Sequence, residues 1–70
     1  MIKVGQIIEI DEAKLVVTKI YTGTQRFDCI YRDGGTNDWS LVFAEKYGKV
    51  IAEYSTWQEA VNSEYFKDEI

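Results

Sequence analysis

The chain has 70 residues, twelve acidic against eight basic, a net charge of −4, and neither histidine nor proline. A chain of this length forms one domain and buries only about 60% of the surface that its unfolded form exposes, so its core must be dense. A single cysteine and no histidine exclude the usual zinc, haem and iron–sulfur ligand sets. We therefore expect neither a metal ion nor a cofactor.

Hydropathy gives no sign of a membrane segment. The longest apolar run covers only residues 41–44, far short of a membrane span or the core of a signal peptide. The amino terminus also lacks the basic and then apolar pattern of a secretion signal. Cys29 has no second cysteine with which to form an internal disulfide. These features predict a cytoplasmic protein.

Five short strands are predicted before residue 55. Residues 14–22 are rich in β-branched and aromatic side chains and are partly apolar on both faces, which indicates a strand near the centre of the sheet. Residues 1–10 alternate around a predicted bulge at Gly5. Short polar turns separate all five segments. The predicted strands are 1–10, 14–22, 26–32, 39–44 and 49–54.

The sequence Asp-Gly-Gly-Thr-Asn-Asp at residues 33–38 is a strong turn signal. Its carboxylate and amide oxygens also suggest a calcium loop. Such a loop needs ligands at alternate positions, and Gly34 and Gly35 stand at its second and third positions. We therefore predict a six-residue turn between strands and no metal site.

One helix is predicted, over residues 56–66. Thr56 and Glu59 have the spacing of a capping box, in which each side chain bonds to the other residue's backbone N–H. The apolar face that follows would reach Glu64 if the helix continued regularly. We therefore expect the helix to end just before Ser63 and to restart there, with Ser63 as a second cap.

The segments KVGQIIEI and FDCIYRDG, followed by a strand that carries Trp39, resemble the start of small SH3-like modules. Five short strands with polar turns, in a chain too small for two full sheets, also predict a five-stranded antiparallel SH3-like barrel whose short C-terminal helix covers one open end. The alternative is an α+β fold, an open antiparallel sheet with one helix packed on a face. Residues 1–70 form one domain in either fold, with the barrel or sheet in 1–54 and the helix and acidic tail in 55–70.

The segment STWQEAVNSEYF is similar to the endings of short phage and prophage proteins of Gram-positive bacteria. This similarity covers about a sixth of the chain. It implies a phage-encoded accessory or inhibitor protein, and it transfers no functional residues.

We predict that the protein is not an enzyme. Without histidine, a hydrolase would need a serine, cysteine or threonine activated by lysine, or a carboxylate pair. The only thiol, Cys29, lies in the middle of a predicted strand, where a buried cysteine behaves as a small hydrophobic residue.

Aromatic residues are the better binding candidates. Tyr31 and Trp39 flank the glycine-rich turn, where SH3-like barrels form grooves that take extended peptides or stack bases. Tyr47, beside a glycine and between two lysines, is the tyrosine that we expect to be exposed. For Trp39 the favoured interpretation is core packing, which a small domain needs, and the binding role is the alternative. The candidate binding residues are Tyr31, Asp33, Asn37, Asp38, Trp39 and Tyr47.

The C-terminal segment is acidic. In the favoured interpretation its carboxylates form a solvated helix face, with Glu59 in the first turn interacting with the helix dipole. In the alternative they mimic a run of phosphates and occupy a nucleic-acid-binding surface on a host protein. The residues concerned are Glu59, Glu64, Asp68 and Glu69.

The function predicted first is a small binding module for a protein partner, which includes a second copy of the chain paired through the edge strand 49–54. The alternative is nucleic-acid binding through Lys46, Tyr47, Lys49 and Trp39. The net charge of −4 argues against this alternative, because nucleic-acid binders normally present a basic face.

Overall fold

A computed structural model of the protein describes residues 1–67. The fold is mainly β, with five antiparallel strands in one sheet and three short helices among the described residues. The elements are β1 (Gln6–Ile10), β2 (Ala13–Tyr21), β3 (Arg26–Tyr31), β4 (Thr36–Ser40), α1 (Leu41–Tyr47), β5 (Lys49–Glu53), α2 (Trp57–Asn62) and α3 (Glu64–Lys67).

The sheet is open, with the strand order β4-β3-β2-β1-β5, so β4 and β5 lie at opposite edges. Residues 41–44, predicted as part of the fourth strand, belong to α1. Ser40 Oγ accepts from Phe43 N–H at 3.2 Å, and Gly48 N–H donates to the Ala44 carbonyl at 2.8 Å. Because this helix carries the chain from one edge to the other, the open-sheet alternative fits the structure, and a closed barrel is not shown.

Both faces of the sheet are buried. The predicted central position of β2 is confirmed, since it lies third of five and its side chains are apolar on both sides. On the α1 side, the first core cluster contains Ile2, Ile8, Ile10, Leu15, Val17, Phe27, Cys29 and Ala44. On the opposite side, the second core cluster contains Ile7, Val16, Ala60 and Phe66, the last two from α2 and α3.

The first strand is shorter than predicted. Gly5 has a φ of +96°, outside the range of an extended strand, so the regular part of β1 begins at Gln6. Gly5 N–H donates to the Val17 carbonyl and the Gly5 carbonyl accepts from Tyr54 N–H, both at 3.0 Å, so the bulge at Gly5 stays a prediction. One register irregularity lies between Ile7 and Ile8, opposite β5. A second, between Val17 and Lys19 of β2, shifts the alternation so that Ile20 packs against the first core cluster.

The turn after β3 is also shorter than predicted. Tyr31 N–H donates to the Gly35 carbonyl at 2.8 Å, and Gly34 N–H donates to the Tyr31 carbonyl at 3.0 Å. Residues 36–38 therefore belong to β4, where Thr36 pairs with Ile30 and Asp38 with Asp28. The predicted six-residue turn at 33–38 is wrong, because strand pairing extends into its second half.

The helix prediction at the C-terminus is confirmed in its main feature. Glu59 N–H donates to Thr56 Oγ1 at 3.1 Å, which is one of the two bonds of the expected capping box. The helix stops at Asn62, and Ser63 Oγ accepts from Phe66 N–H at 3.2 Å as α3 begins. Within residues 1–67, no helix is both long and apolar enough to span a membrane.

The backbone at Gly5 generates a stability prediction. A Cβ atom there would lie 2.4 Å from the Tyr54 carbonyl oxygen, and the φ of +96° is unfavourable for any other residue. We expect Gly5→Ala to lower the free energy of unfolding by at least about 2 kcal/mol in urea denaturation. The matched control is Gly23→Ala, which meets no atom within 4 Å. Equal effects of the two substitutions would contradict this account.

Candidate functional site

Four aromatic side chains lie in a row along one side of the molecule. The rings of Trp39 and Phe43 are stacked, with centroids 5.7 Å apart and an interplanar angle of 18°. The rings of Phe43 and Tyr47 follow at 4.9 Å and 45°. At the other end, the Tyr31 hydroxyl bonds to the Trp39 indole at 3.1 Å. We call these four residues the aromatic row.

The row exists because a strand runs directly into a helix. Trp39 pairs with Phe27, so its side chain lies on the face of the sheet that α1 covers. Phe43 and Tyr47 are four residues apart on α1 and therefore lie on the same side of it. Phe43 is 38% exposed and Tyr47 61% exposed, so the predicted exposure of Tyr47 is confirmed. Trp39 is half-buried against the first core cluster.

Hydrogen bonds fix the half-buried end of the row, formed by Tyr31 and Trp39. The Tyr31 hydroxyl oxygen accepts from Trp39 Nε1 at 3.1 Å and from Asn37 Nδ2 at 3.2 Å. These contacts hold both rings in place before any ligand arrives, which lowers the entropy lost on binding. They also occupy the indole N–H, so this end of the row offers apolar ring surface.

The exposed end of the row carries a positive charge. Lys46 Nζ lies 5.5 Å from the centroid of the Tyr47 ring, within the range of a cation–π contact. The neighbouring Glu45 points elsewhere, since its Oε2 atom accepts from Ile2 N–H at 3.3 Å. The row therefore combines aromatic surface with one cation.

Asp33 and Asp38 do not join the row. Asp33 Oδ1 accepts from Gly35 N–H at 2.8 Å, so this carboxylate holds the turn in shape. Asp38 lies opposite Asp28, on the other face of the sheet from Trp39. Its carboxylate pairs with Arg26 Nε at 2.7 Å. The structure thus brings together four predicted binding residues, Tyr31, Asn37, Trp39 and Tyr47, and assigns structural contacts to the other two.

The edge formed by β4 is capped at its centre. Tyr31 N–H donates to the Gly35 carbonyl and Leu41 N–H donates to the Gln25 carbonyl, one bond at each end of β4. Alternate residues of an antiparallel strand direct their backbone groups toward the neighbouring strand, so the N–H and carbonyl of Asp38 point away from β3. Asn37 Oδ1 accepts from Asp38 N–H at 2.8 Å, and Arg26 Nη2 donates to the Asp38 carbonyl at 3.4 Å. These contacts obstruct the addition of another strand here.

The predicted edge position of residues 49–54 is confirmed, since β5 forms the other border of the sheet. Its pairing with β1 shifts register, however, from Ala52 opposite Ile7 to Val50 opposite Ile8. The extra residue, Ile51, interrupts the regular row of edge hydrogen-bonding groups and so weakens this edge as a template for strand addition. Pairing of two copies through β5 stays a prediction.

The described acidic residues of the tail do not form a cluster with the aromatic row. Glu59 lies in the first turn of α2 and Glu64 in the first turn of α3. A carboxylate in a first turn interacts favourably with the amino end of the helix dipole, so both positions have a structural explanation. Asp68 and Glu69 lie outside the described residues.

An apolar cleft of about 400 Å³ lies between α3 and the turn after β3. Arg32 borders it and is engaged there: Nε donates to the Phe66 carbonyl, and Nη2 donates to the Tyr65 carbonyl at 3.3 Å. The guanidinium thus ties α3 to the end of β3. Within residues 1–67, no group of three or more carboxylates or thiols is placed to hold a metal ion.

Sequence reasoning missed Phe43, the ring that lies between Trp39 and Tyr47 in the row. The alternation of Trp39, Leu41 and Phe43 fits the predicted strand 39–44, in which all three side chains would point inward. Two signals for a helix were present: Ser40 is a favourable N-cap, and Gly48 follows seven residues without glycine or proline. A short apolar run fits both the alternation of a strand and the period of a helix, so the length of the segment and its capping residues must decide between the two.

A scan against models of protein families found no match, and searches of curated proteins and of solved structures found none either. The resemblances to SH3-like modules and to phage proteins therefore stay predictions.

The Tyr31 contacts generate a second prediction. Tyr31→Phe removes the acceptor for two donors, and we expect it to cost about 1 kcal/mol of unfolding free energy and to speed hydrogen exchange of the Trp39 indole N–H. The matched control is Tyr54→Phe, because the Tyr54 hydroxyl makes no hydrogen bond among the described residues. An unchanged exchange rate in Tyr31→Phe would show that the bond does not order the row.

Cys29 generates a prediction about pH. Cys29 is 1% exposed, and burial raises the pKa of the thiol, while hydrogen bonds from the Tyr31 side chain, the Asn37 backbone and the Trp39 side chain oppose this rise more weakly. Above the unfolded thiol pKa of about 8.5, the folded protein therefore holds the proton longer than the unfolded chain does, and stability falls as pH rises. Urea denaturation at neutral and alkaline pH should show a smaller loss for Cys29→Ala than for the native protein. Equal losses would mean that Cys29 does not contribute.

Proposed function

We propose that the protein is a small binding module that contacts a protein partner through the aromatic row. The observation that carries the proposal is the row itself, with Phe43 and Tyr47 exposed beside a half-buried Trp39. Aromatic side chains exposed next to an ordered neighbour are typical of the residues that contribute most to protein binding. If the resemblance to phage proteins holds, this chain is a phage-encoded accessory or inhibitor protein and the partner is a host protein.

The partner is expected to contact side chains rather than to extend the sheet. Asp38 has both outward backbone groups occupied at the β4 edge, and Ile51 interrupts the β5 edge. A row of rings with fixed positions instead offers surface that becomes buried without reorganisation. The proposed contact is therefore the side of the molecule formed by α1 and the end of β4.

Nucleic-acid binding is the second candidate, because Lys46 lies over the ring of Tyr47 and an exposed aromatic beside a cation can stack a base near its phosphate. Against it, the chain carries a net charge of −4. Phosphate contacts make affinity fall steeply with salt. Titration with a single-stranded thymidine oligonucleotide at two salt concentrations tests this candidate directly, and no binding at low salt would eliminate it.

The proposed function predicts a selective effect of Tyr47. A tagged chain is used to capture proteins from cell lysate treated with nuclease, in parallel with Tyr47→Ser and with Tyr65→Ser. Tyr65 is the matched control because it is 49% exposed but belongs to α3, away from the row. We expect Tyr47→Ser to weaken capture about thirtyfold, the effect of losing about 2 kcal/mol at a binding hot spot.

Two results would contradict the proposal. Capture that Tyr47→Ser leaves unchanged, or that Tyr65→Ser reduces equally, would place the contact elsewhere on the molecule. Capture that disappears after nuclease treatment would favour the nucleic-acid candidate.

A further inference from the structure

The outward side of α1 is unusually apolar. Leu41 and Ala44 pack toward the sheet, which turns Val42, Phe43 and Lys46 away from it, with Tyr47 beside them. Val42 is 65% exposed, and it adds to the exposed rings of Phe43 and Tyr47. We call Val42, Phe43, Lys46 and Tyr47 the α1 outer face. A surface helix normally places polar residues here, so three apolar residues of four indicate a contact surface.

The charges on α1 indicate what kind of surface could meet this face. The helix carries one acid, Glu45, and one base, Lys46, and so has no net charge. The whole chain carries −4. Two copies that approach through α1 therefore avoid the like-charge repulsion that their remaining surfaces would produce.

The α1 outer face also matches itself. When two copies of α1 lie antiparallel about a two-fold axis at the helix centre, Val42 of one copy faces Tyr47 of the other, and Phe43 faces Lys46. The first pair joins apolar surfaces. The second places an ammonium group on an aromatic ring, as Lys46 already lies on its own Tyr47 at 5.5 Å. Each contact occurs twice, as a closed two-fold interface requires.

We infer that two copies of this chain associate through the α1 outer face in this antiparallel arrangement. The inference rests on the proposed function, because it takes the aromatic row as a protein-contact surface and identifies the partner as a second copy. The seven residues of α1 extend about 10 Å, so the interface falls in the class of small, reversible contacts.

Sedimentation velocity over a wide concentration series tests the inference with the full chain. We expect a reversible dimer for the native protein and at least about a tenfold rise in its dissociation constant for Lys46→Glu and for Tyr47→Ser, a loss of about 1.4 kcal/mol each. Lys49→Glu is the matched control for the charge change and Tyr65→Ser for the lost ring, since both residues are exposed and outside the α1 outer face. Both controls are expected to dimerise like the native protein.

The remaining outcomes separate this inference from the proposed function. A native protein that stays monomeric at every concentration overturns the inference, while Tyr47-dependent capture of a different protein would still support the proposed function. A dimer that Lys49→Glu weakens, but Lys46→Glu and Tyr47→Ser do not, overturns the inference in favour of pairing through β5. If Tyr47→Ser changes neither dimerisation nor capture, both proposals are wrong.

Discussion

The structure depends on the burial of a five-stranded sheet on both faces by very short helices. β2 lies at the centre and sends Leu15 and Val17 to one side and Val16 to the other, each with no exposed surface. Neither face can be left to solvent without exposing the core. The chain therefore needs helical cover on each side, and α1 supplies it on one while α2 and α3 supply it on the other.

Helix α1 packs tightly against the sheet. The buried side chain of Ala44 contributes to the first core cluster, and a Cβ atom at Gly48 would lie 2.8 Å from Ile10 and 2.6 Å from the Ala44 carbonyl. The end of the helix thus sits directly on β1. With its inner side fixed in this way, α1 must present its remaining residues to solvent or to a partner. The aromatic row is the result of that constraint.

Much of this fold was predictable because its signals are local. Strand alternation, the central position of β2 and the edge position of β5 follow from apolar periodicity and turn residues. The restart of the C-terminal helix at Ser63 follows from capping. Of the binding candidates, Tyr31, Asn37, Trp39 and Tyr47 do come together. Their grouping was not predictable, because it requires that Tyr47 be one helical turn from Phe43 and not in a separate turn.

The sequence by itself determined a small, mainly antiparallel β fold with a capped C-terminal helix and no histidine or cysteine-pair chemistry. The tertiary structure decided three matters: whether residues 41–47 form strand or helix, which face Ile20 occupies, and which aromatics remain exposed. The physical reason is the same in each case. Residues 39–43 fit both a period of two and a helical period, and the irregularity in β2 has no local signature. The need to cover the second face of the sheet, together with the caps Ser40 and Gly48, selects the helix for residues 41–47.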